Sequence, residues 1–159
     1  MPAHNCTAII RLPFGVIGVH EENNVLTGID FLPDITTEKE PETELAARVA
    51  AQLQDYASNP LAFNFDLPVK IQGTAFQQKV WRALKKIPAG EVISYGELAR
   101  KLNTGARAVG NACRRNPVPL VVPCHRVVSS NGIGGFAGDR HAGWTRIKRW
   151  LLKHEGYSI

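Results

Sequence analysis

The first 35 residues contain three short apolar segments that are separated by turn-forming residues. The segments cover residues 7–12, 15–20 and 25–31, and short apolar runs of this kind are typical of β-strands. Glu22-Asn23-Asn24 separates the last two segments and predicts a hairpin turn. The chain is therefore predicted to begin with a small antiparallel sheet.

A helical spacing replaces the strand pattern after residue 40 and predicts a helix over residues 41–58. Glu42 and Glu44 would lie in its first turn, where the helix dipole favours negative charge. Asn59-Pro60 would end it. Its apolar face would carry Leu45, Val49, Leu53 and Tyr56 or Ala57. Residues 63–67 predict a further strand, and residues 68–73 a linker.

The second half of the chain has the pattern of short, well-capped helices. Two capping boxes, Thr74-Ala75-Phe76-Gln77 and Ser94-Tyr95-Gly96-Glu97, each open a helix. After Asn103-Thr104-Gly105 a third helix is predicted over residues 106–115. Two short helices joined by a tight turn with glycine match a helix-turn-helix. The last helix is predicted over residues 144–154, with Gly156 just beyond its end.

Charge is divided unevenly between the two halves. The net charge is +5, but residues 1–70 carry four basic and ten acidic side chains, a balance of −6. Residues 71–159 carry fifteen basic and four acidic side chains, a balance of +11. A basic half beside an acidic half indicates a polyanionic partner, of which nucleic acid is the foremost candidate.

Length and composition narrow the protein class. A chain of 159 residues with 44% hydrophobic and 21% charged residues fits one domain or two small ones. No apolar run approaches the ~20 residues of a membrane span, and the N-terminus does not have the pattern of a signal peptide. The cysteines, Cys6, Cys113 and Cys124, show no CxxC spacing, which favours free thiols in a reducing cytoplasm.

The predicted third helix places four residues on one face. Arg107, Gly110, Asn111 and Arg114 are spaced i, i+3, i+4 and i+7, whereas Val109, Ala112 and Cys113 fall on another face suited to packing. A glycine inside a helix costs ~1 kcal/mol relative to alanine. The face is read either as a solvated surface with a tolerated glycine or as a groove-binding surface.

Cys124 is followed by His125 and Arg126, whose positive field favours the thiolate and hence nucleophilicity. In an extended segment Cys124 and His125 would point to opposite faces. A thiol–imidazole relay therefore requires a turn at Pro123-Cys124 or a bridging water. The alternative is a small buried core cysteine.

The remaining cysteines have weaker chemistry around them. Cys113 lies on the packing face of its helix, and Cys6 precedes the first strand, so both are interpreted as structural. His4 and Cys6 give too few ligands for zinc, which needs about four. No metal and no cofactor is expected.

Several segments together resemble the methylated-DNA–protein-cysteine methyltransferases, which are the O6-alkylguanine-DNA alkyltransferases. The resemblance is dense over residues 74–156 and loose over the N-terminal half. The segments that carry it are Asn116-Pro117-Val118-Pro119, Pro123-Cys124-His125-Arg126-Val127, Val92-Ile93-Ser94-Tyr95-Gly96, Ala106-Arg107-Ala108-Val109-Gly110 and Trp150-Leu151-Leu152-Lys153-His154-Glu155-Gly156.

The resemblance implies an α+β fold in two domains. Residues 1–70 would form a supporting domain, a small antiparallel sheet with a helix of the ribonuclease-H-like type. Residues 71–159 would form a helical, winged-helix-like domain that contains the helix-turn-helix, binds DNA and accepts the alkyl group.

The resemblance also implies roles for single residues. Cys124 would take the alkyl group from O6 of guanine, His125 would take the thiol proton through a water, and Glu155 would orient and polarise His125. Asn116 would brace the turn that carries the nucleophile. Tyr95 would donate a hydrogen bond to the flipped guanine.

The implied partner is double-stranded DNA with an O6-alkylguanine, approached through the minor groove after base flipping. Arg107 would fill the vacated stack, and Ala106 and Gly110 would allow close approach. Asn111, Arg114 and Arg115 complete the DNA-binding set. The stable thioether implies a single turnover. The expected working form is a monomer. Cooperativity on DNA and activity on O4 of thymine stay open.

The chain departs from the family pattern in three places. Phe136 stands where a tyrosine is common, and about five extra residues lie around residues 139–143. Some relatives bind zinc in the N-terminal half. In this chain only Cys6 could match one of their zinc ligands.

Two other protein classes compete with this interpretation. An alkyltransferase-like binding module has tryptophan in place of the cysteine, so Cys124 argues against it. A thiol hydrolase using Cys124 and His125 would need an oxyanion hole, and a DNA-binding helix beside its thiol would serve no purpose.

Overall fold

The three apolar segments of the N-terminal half form one antiparallel sheet. Strands β1 (Ala8–Leu12), β2 (Gly15–Glu22) and β3 (Val25–Leu32) pair in that order. Asn23 and Asn24 make the two-residue turn between β2 and β3 with positive φ angles of 53° and 65°. Two left-handed residues are the requirement of a type I′ hairpin, and asparagine tolerates them. The predicted sheet and hairpin are confirmed.

The computed structural model describes residues 5–62, 64–130, 132 and 144–158. Phe136 and residues 139–143, where the chain departs from the family pattern, lie outside the described residues. The chain divides into two compact units, Met1–Ile71 and Gln72–Ile159. Within the described part, every helix is too short or too polar to cross a bilayer.

Helix α1 (Glu44–Ser58) covers the sheet of the first unit and begins later than predicted. The Thr43 hydroxyl accepts a hydrogen bond from the Ala46 backbone N–H at 3.0 Å, which sets the N-terminus. Glu42 therefore lies outside the helix and pairs with Lys39 at 3.0 Å. The predicted apolar face is buried, and it consists of Leu45, Val49, Leu53 and Tyr56.

The strand predicted over residues 63–67 is wrong for its described residues, 64–67. The side chains of α1 take the hydrogen bonds that a strand would make. Asp66 donates its backbone N–H to Gln52 Oε1 at 2.9 Å, and its carbonyl accepts from Arg48 Nη2 at 2.8 Å. The following segment pairs with the start of β3, because Leu26 donates its N–H to the Pro68 carbonyl at 2.8 Å.

The second unit contains the helices that the caps predict. Helix α2 (Ala75–Leu84) has the full Thr74–Gln77 capping box, and Ser94 caps α3 (Tyr95–Lys101) by accepting from the Glu97 N–H. Helix α4 (Ala106–Arg114) follows a turn, and α5 (Trp144–His154) is followed by Gly156 at φ +91°. Trp81 of α2 donates its indole N–H to the Ala112 carbonyl at 2.9 Å, which fixes α4 against α2.

A short parallel pairing positions the candidate site. Strand β4 (Ile93–Ser94) pairs with β5 (Val127–Val128), although more than thirty residues separate them in sequence. β4 runs directly into α3, and β5 follows the Cys124–Arg126 segment. The pairing therefore brings Tyr95, the first residue of α3, to the same region as Cys124.

Candidate functional site

Cys124 is presented by two consecutive tight turns. Pro123 has φ −81° and ψ 68°, and the Cys124 N–H donates to the Val122 carbonyl at 2.8 Å, which is an inverse γ-turn. Cys124–Arg126 then forms one turn of 3₁₀-helix. The fixed φ of proline suits the first turn. The segment is thus not extended, and of the two predicted solutions the turn at Pro123-Cys124 is present.

Asn116 ties down the loop that leads to Cys124. Its side-chain Nδ2 donates to the Val122 carbonyl at 2.8 Å, and its Oδ1 accepts from the Val118 N–H at 3.0 Å. Within this loop Leu120 has φ +77°, a conformation that costs free energy for a non-glycine residue. The buried amide links both ends of the loop and offsets this strain.

His125 and Glu155 form a buried pair behind the turn. His125 Nε2 lies 2.7 Å from Glu155 Oε2, and each side chain is only 1% exposed. Arg126 donates to the same carboxylate through Nε at 2.9 Å and Nη2 at 3.0 Å. These hydrogen bonds hold the pKa of Glu155 well below its usual range although burial alone would raise it. Glu155 is therefore ionised.

The carboxylate fixes the tautomer of His125. An ionised carboxylate only accepts hydrogen bonds, so Nε2 carries the hydrogen and donates it to Glu155. Burial lowers the pKa of His125 more than Glu155 raises it, so the ring is neutral. Its Nδ1 then has a lone pair, and this buried atom has no hydrogen-bond partner among the described residues. The atom is available as a base.

Burial keeps the Cys124 thiol protonated. The side chain is 6% exposed, and burial raises its pKa. A hydrogen bond from the Asn116 side chain and the charge of Lys148 oppose that effect. The expectation that His125 and Arg126 supply the positive field is wrong, because His125 is neutral and Arg126 is paired with Glu155. The thiol needs a base before it can act.

Lys148 is a site residue that the sequence reasoning missed. It lies on α5, is 1% exposed, and donates from Nζ to the Val127 carbonyl at 2.8 Å and to the Tyr95 hydroxyl oxygen at 3.3 Å. Burial lowers the pKa of Lys148 to about 8. A signal was present, since Lys148 follows Trp144 by four residues on the buried helix face.

Tyr95 is held protonated and oriented. Burial raises the pKa of Tyr95, and the nearby Cys113 and Cys124 thiols raise it further if they ionise. Because the Lys148 ammonium can only donate, the tyrosine oxygen is its acceptor, and the hydroxyl hydrogen of Tyr95 must be directed to another group. Tyr95 is thus set as a hydrogen-bond donor.

A cavity of about 740 Å³ lies between α3, α4 and the loop after β5. Tyr95, Gly96 and Arg100 line it from α3. From α4 it is lined by Ala106, Arg107, Asn111 and Arg114. Ser94, Ser129 and Ser130 complete its described lining. Cys124 is not among these lining residues, but Tyr95, which does line the cavity, is close enough for the Cys124 thiol to affect its pKa. A basic cavity of this size can accept a planar group together with a negatively charged group attached to it.

The outward face predicted for α4 is only partly correct. Ala106, Arg107 and Asn111 are exposed, and Arg114 is half-buried. Gly110 is buried with Val109 and therefore does not lie on the exposed face. Its role in close approach to DNA stays a prediction. Arg115 is exposed at the C-cap and is not part of the cavity lining.

The other two cysteines lie in different surroundings. Cys113 is buried on α4, and burial raises the pKa of its thiol. Cys6 Sγ lies 3.6 Å from His20 Nε2, which in turn lies 2.7 Å from Asp30 Oδ2. Within residues 5–62, 64–130, 132 and 144–158, no group of three or more His, Cys, Asp or Glu side chains, this one included, has an arrangement that could hold a metal ion.

Comparison with known proteins matches this site to one family. A family model described as 6-O-methylguanine DNA methyltransferase, DNA binding domain, matches residues 75–157. The methylated-DNA–protein-cysteine methyltransferase of Shigella flexneri is 41% identical to this chain, over 80% of this chain and 76% of that protein.

Solved structures extend the match to the fold. The crystal structure of the Mycobacterium tuberculosis O6-methylguanine methyltransferase has a TM-score of 0.79 at 35% identity, covering 92% of this chain and 90% of that chain. A crystal structure of M. tuberculosis OGT in complex with DNA has a TM-score of 0.74 at 34% identity, with the same coverage. Because the family model spans more than half of the sequence and the relatives cover most of it, the chain belongs to the O6-methylguanine DNA methyltransferase family.

Proposed function

We propose that Cys124 is the residue through which this DNA-repair methyltransferase takes the alkyl group from O6 of guanine in DNA. The observation that carries the proposal is the buried pair of Glu155 and His125, the residue after Cys124, in which His125 Nδ1 has no partner among the described residues and is available as a base. A buried thiol with a raised pKa requires such a base. The neutral imidazole, oriented by an ionised carboxylate, meets that requirement.

The reaction transfers one proton and one carbon group. A water relays the Cys124 proton to His125 Nδ1, and Glu155 stabilises the imidazolium that forms. The thiolate then attacks the alkyl carbon, an S–C bond forms, and the C–O6 bond breaks with its electron pair moving to the guanine. Tyr95 donates a hydrogen bond to the leaving guanine, whose developing negative charge this bond stabilises. The product is a thioether, and no step of this mechanism removes it.

The base must leave the duplex before this chemistry is possible, because a buried thiol cannot reach O6 inside the base stack. Arg107 is the residue that would enter the vacated space, since it is exposed on α4 and lines the cavity. Approach from the minor groove is consistent with the small exposed Ala106 at the start of α4. Asn111 and Arg114 line the same cavity and would contact DNA there, and Arg115 would contact the backbone outside it.

The two parts of the chain have different proposed roles. Residues 71–159 would bind DNA through a winged-helix-like arrangement around α3 and α4 and accept the alkyl group. Residues 1–70, with their small sheet and one helix in a ribonuclease-H-like arrangement, would support that domain. The charge balance favours this division, because the +11 half contains every proposed DNA contact. A monomer acting on one lesion in double-stranded DNA is the proposed working form.

The fate of a labelled methyl group distinguishes this function from its rivals. The chain is incubated with duplex DNA that carries an O6-methylguanine labelled on the methyl carbon, and label is counted in protein, DNA and solution. Alkyl transfer predicts label on the protein. A binding module would leave it on the DNA, and a hydrolase would release it to solution as methanol. Either of these two results would refute the proposal.

A further inference from the structure

The α3 side of the cavity carries a cation that no motif includes. Arg100 lies in the last turn of α3 and is exposed, yet its guanidinium folds back along the helix. Its Nη1 lies 3.7 Å from the position that a Cβ on Gly96 would occupy. The guanidinium therefore sits over the residue next to Tyr95, and Arg100 lines the cavity together with both.

The side chains of Arg100 and of the next residue, Lys101, line different cavities. Lys101 follows it on α3, but Lys101 lines a second cavity, of about 490 Å³, which lies on the other side of α3 and also contains Lys79, Glu97 and Leu102. Arg100 forms no ion pair with any carboxylate in the described part of the chain. Its charge is thus presented to the cavity rather than neutralised within the fold.

We propose that Arg100 binds the phosphate of the flipped nucleotide. The inference rests on the proposed function and adds a binding residue to it. A guanine that reaches Tyr95 brings its sugar and phosphate with it, and the phosphate must stay at the mouth of the cavity. The guanidinium over Gly96 is the cation next to that position, and its planar fork of N–H donors matches phosphate oxygens.

This role differs from that of Arg107. Arg107 fills a gap that exists only in a base stack, so its effect belongs to duplex DNA. A phosphate accompanies the damaged base in duplex and single-stranded DNA alike, so Arg100 acts on both. Free O6-benzylguanine has neither a stack nor a phosphate. The three substrates therefore separate the two arginines.

The test compares Arg100→Ala with Lys101→Ala, which removes the same charge from the same helix on its other side. Single-turnover transfer rates are measured on a duplex and on a single strand containing O6-methylguanine, each divided by the rate on free O6-benzylguanine. Arg100→Ala is expected to lower both ratios by about tenfold, the scale of one lost charge-assisted contact. Lys101→Ala is expected to leave both ratios close to those of the unmodified protein.

A neutral phosphate identifies the contact itself. Replacing the phosphate beside the lesion by a methylphosphonate should slow the unmodified protein by the same factor, and Arg100→Ala should lose nothing more on that substrate. Two results would overturn the proposal. In one, Arg100→Ala is slower than the unmodified protein on the methylphosphonate substrate by as large a factor as on the normal phosphate. In the other, Arg100→Ala and Lys101→Ala give equal ratios. If the unmodified protein transfers nothing from any of the substrates, the proposed function fails as well.

Discussion

At the scale of single residues, the site separates the charge that attracts a proton from the charge that stabilises a thiolate. Glu155 is ionised but is held by His125 and Arg126, so its charge acts on the imidazole. Lys148 donates its hydrogen bonds to Tyr95 and Val127 instead and is the cation that lowers the pKa of Cys124, while its charge also lowers the pKa of His125. The base and the electrostatic support of the nucleophile therefore come from different elements of the fold.

Replacing Lys148 by methionine tests this separation. Methionine has a similar length and no charge, so Lys148→Met removes the cation that lowers the pKa of Cys124 and the donor to Tyr95. We expect transfer to slow by about ten- to a hundredfold, with the rate rising only at higher pH than in the unmodified protein. The measurement is the single-turnover rate as a function of pH.

Lys148→Arg serves as the matched control, since it keeps a positive charge at the same position. It should retain a pH profile close to that of the unmodified protein even if its rate falls. An unchanged rate and profile in Lys148→Met would show that this lysine has no part in the chemistry.

Residue-level prediction from sequence anticipated the turn at Pro123-Cys124, because its signal is local. Cys124 and His125 are adjacent, and the need for a turn followed from strand geometry alone. The partner of Arg126 was predicted wrongly. The Cys124 thiol is near it in sequence, whereas its actual partner, Glu155, is 29 residues away. Gly110 was assigned to the outward face from helical spacing, and the spacing does not reveal which neighbours cover that turn.

At the scale of elements, the helices of the second unit were predictable because their caps are local. Thr74 and Ser94 each accept from the backbone N–H three residues later, as the capping boxes indicate. The β4–β5 pairing was not predictable, because each strand has only two residues and pairs across a long separation. Residues 64–67 were wrongly predicted to be a strand. Side chains of α1 form hydrogen bonds with the backbone of this segment, and the local sequence does not reveal them.

Helix α4 provides a prediction at this scale. Arg107 is exposed and lines the cavity, so Arg107→Ala leaves the buried face of α4 intact. We expect transfer from duplex DNA to fall far more than transfer from free O6-benzylguanine, because only the duplex leaves a gap to be filled. The measurement is the pair of single-turnover rates for the variant and the unmodified protein. Equal losses on the two substrates would contradict the intercalating role.

At the scale of the whole molecule, the buried pair couples stability to pH. The pKa of His125 is lowered in the folded state, so between that value and about 6.5 the unfolded chain binds more protons. The free energy of unfolding should therefore fall as the pH drops below about 6.5. Glu155, whose pKa is also lowered, should add a further fall below about 4.3.

The variant His125→Gln isolates the contribution of the imidazole, since the longer amide of glutamine can still donate to Glu155 from the position of Nε2 but does not titrate. Denaturant unfolding is measured at several pH values, and the free energy of unfolding is plotted against pH. The slope of this plot should be steeper for the unmodified protein, by up to about 1.4 kcal/mol per pH unit at about one unit below pH 6.5. Identical slopes in the two proteins would contradict the assignment of a lowered pKa to His125.

Alkylation of Cys124 should also lower the stability of the folded protein. Cys124 is 6% exposed and lies in a loop held by Asn116, so a methyl group on sulfur adds volume to a filled site. Overpacking of this kind costs ~1–3 kcal/mol, which corresponds to a fall of several degrees in the melting temperature of a chain this size. Calorimetry of the reacted and unreacted protein measures it, and an unchanged Tm would refute the packing argument alone.

The stoichiometry and position of the transferred group test most directly whether Cys124 is the alkyl acceptor. The protein is treated with an excess of duplex DNA containing O6-methylguanine, the DNA is analysed for lesions lost, and the protein is mapped by peptide mass spectrometry. We predict one methyl group per chain, on the peptide that contains Cys124, and no transfer to Cys124→Ser. Loss of several lesions per chain, or a methyl group on Cys6 or Cys113 instead, would contradict it.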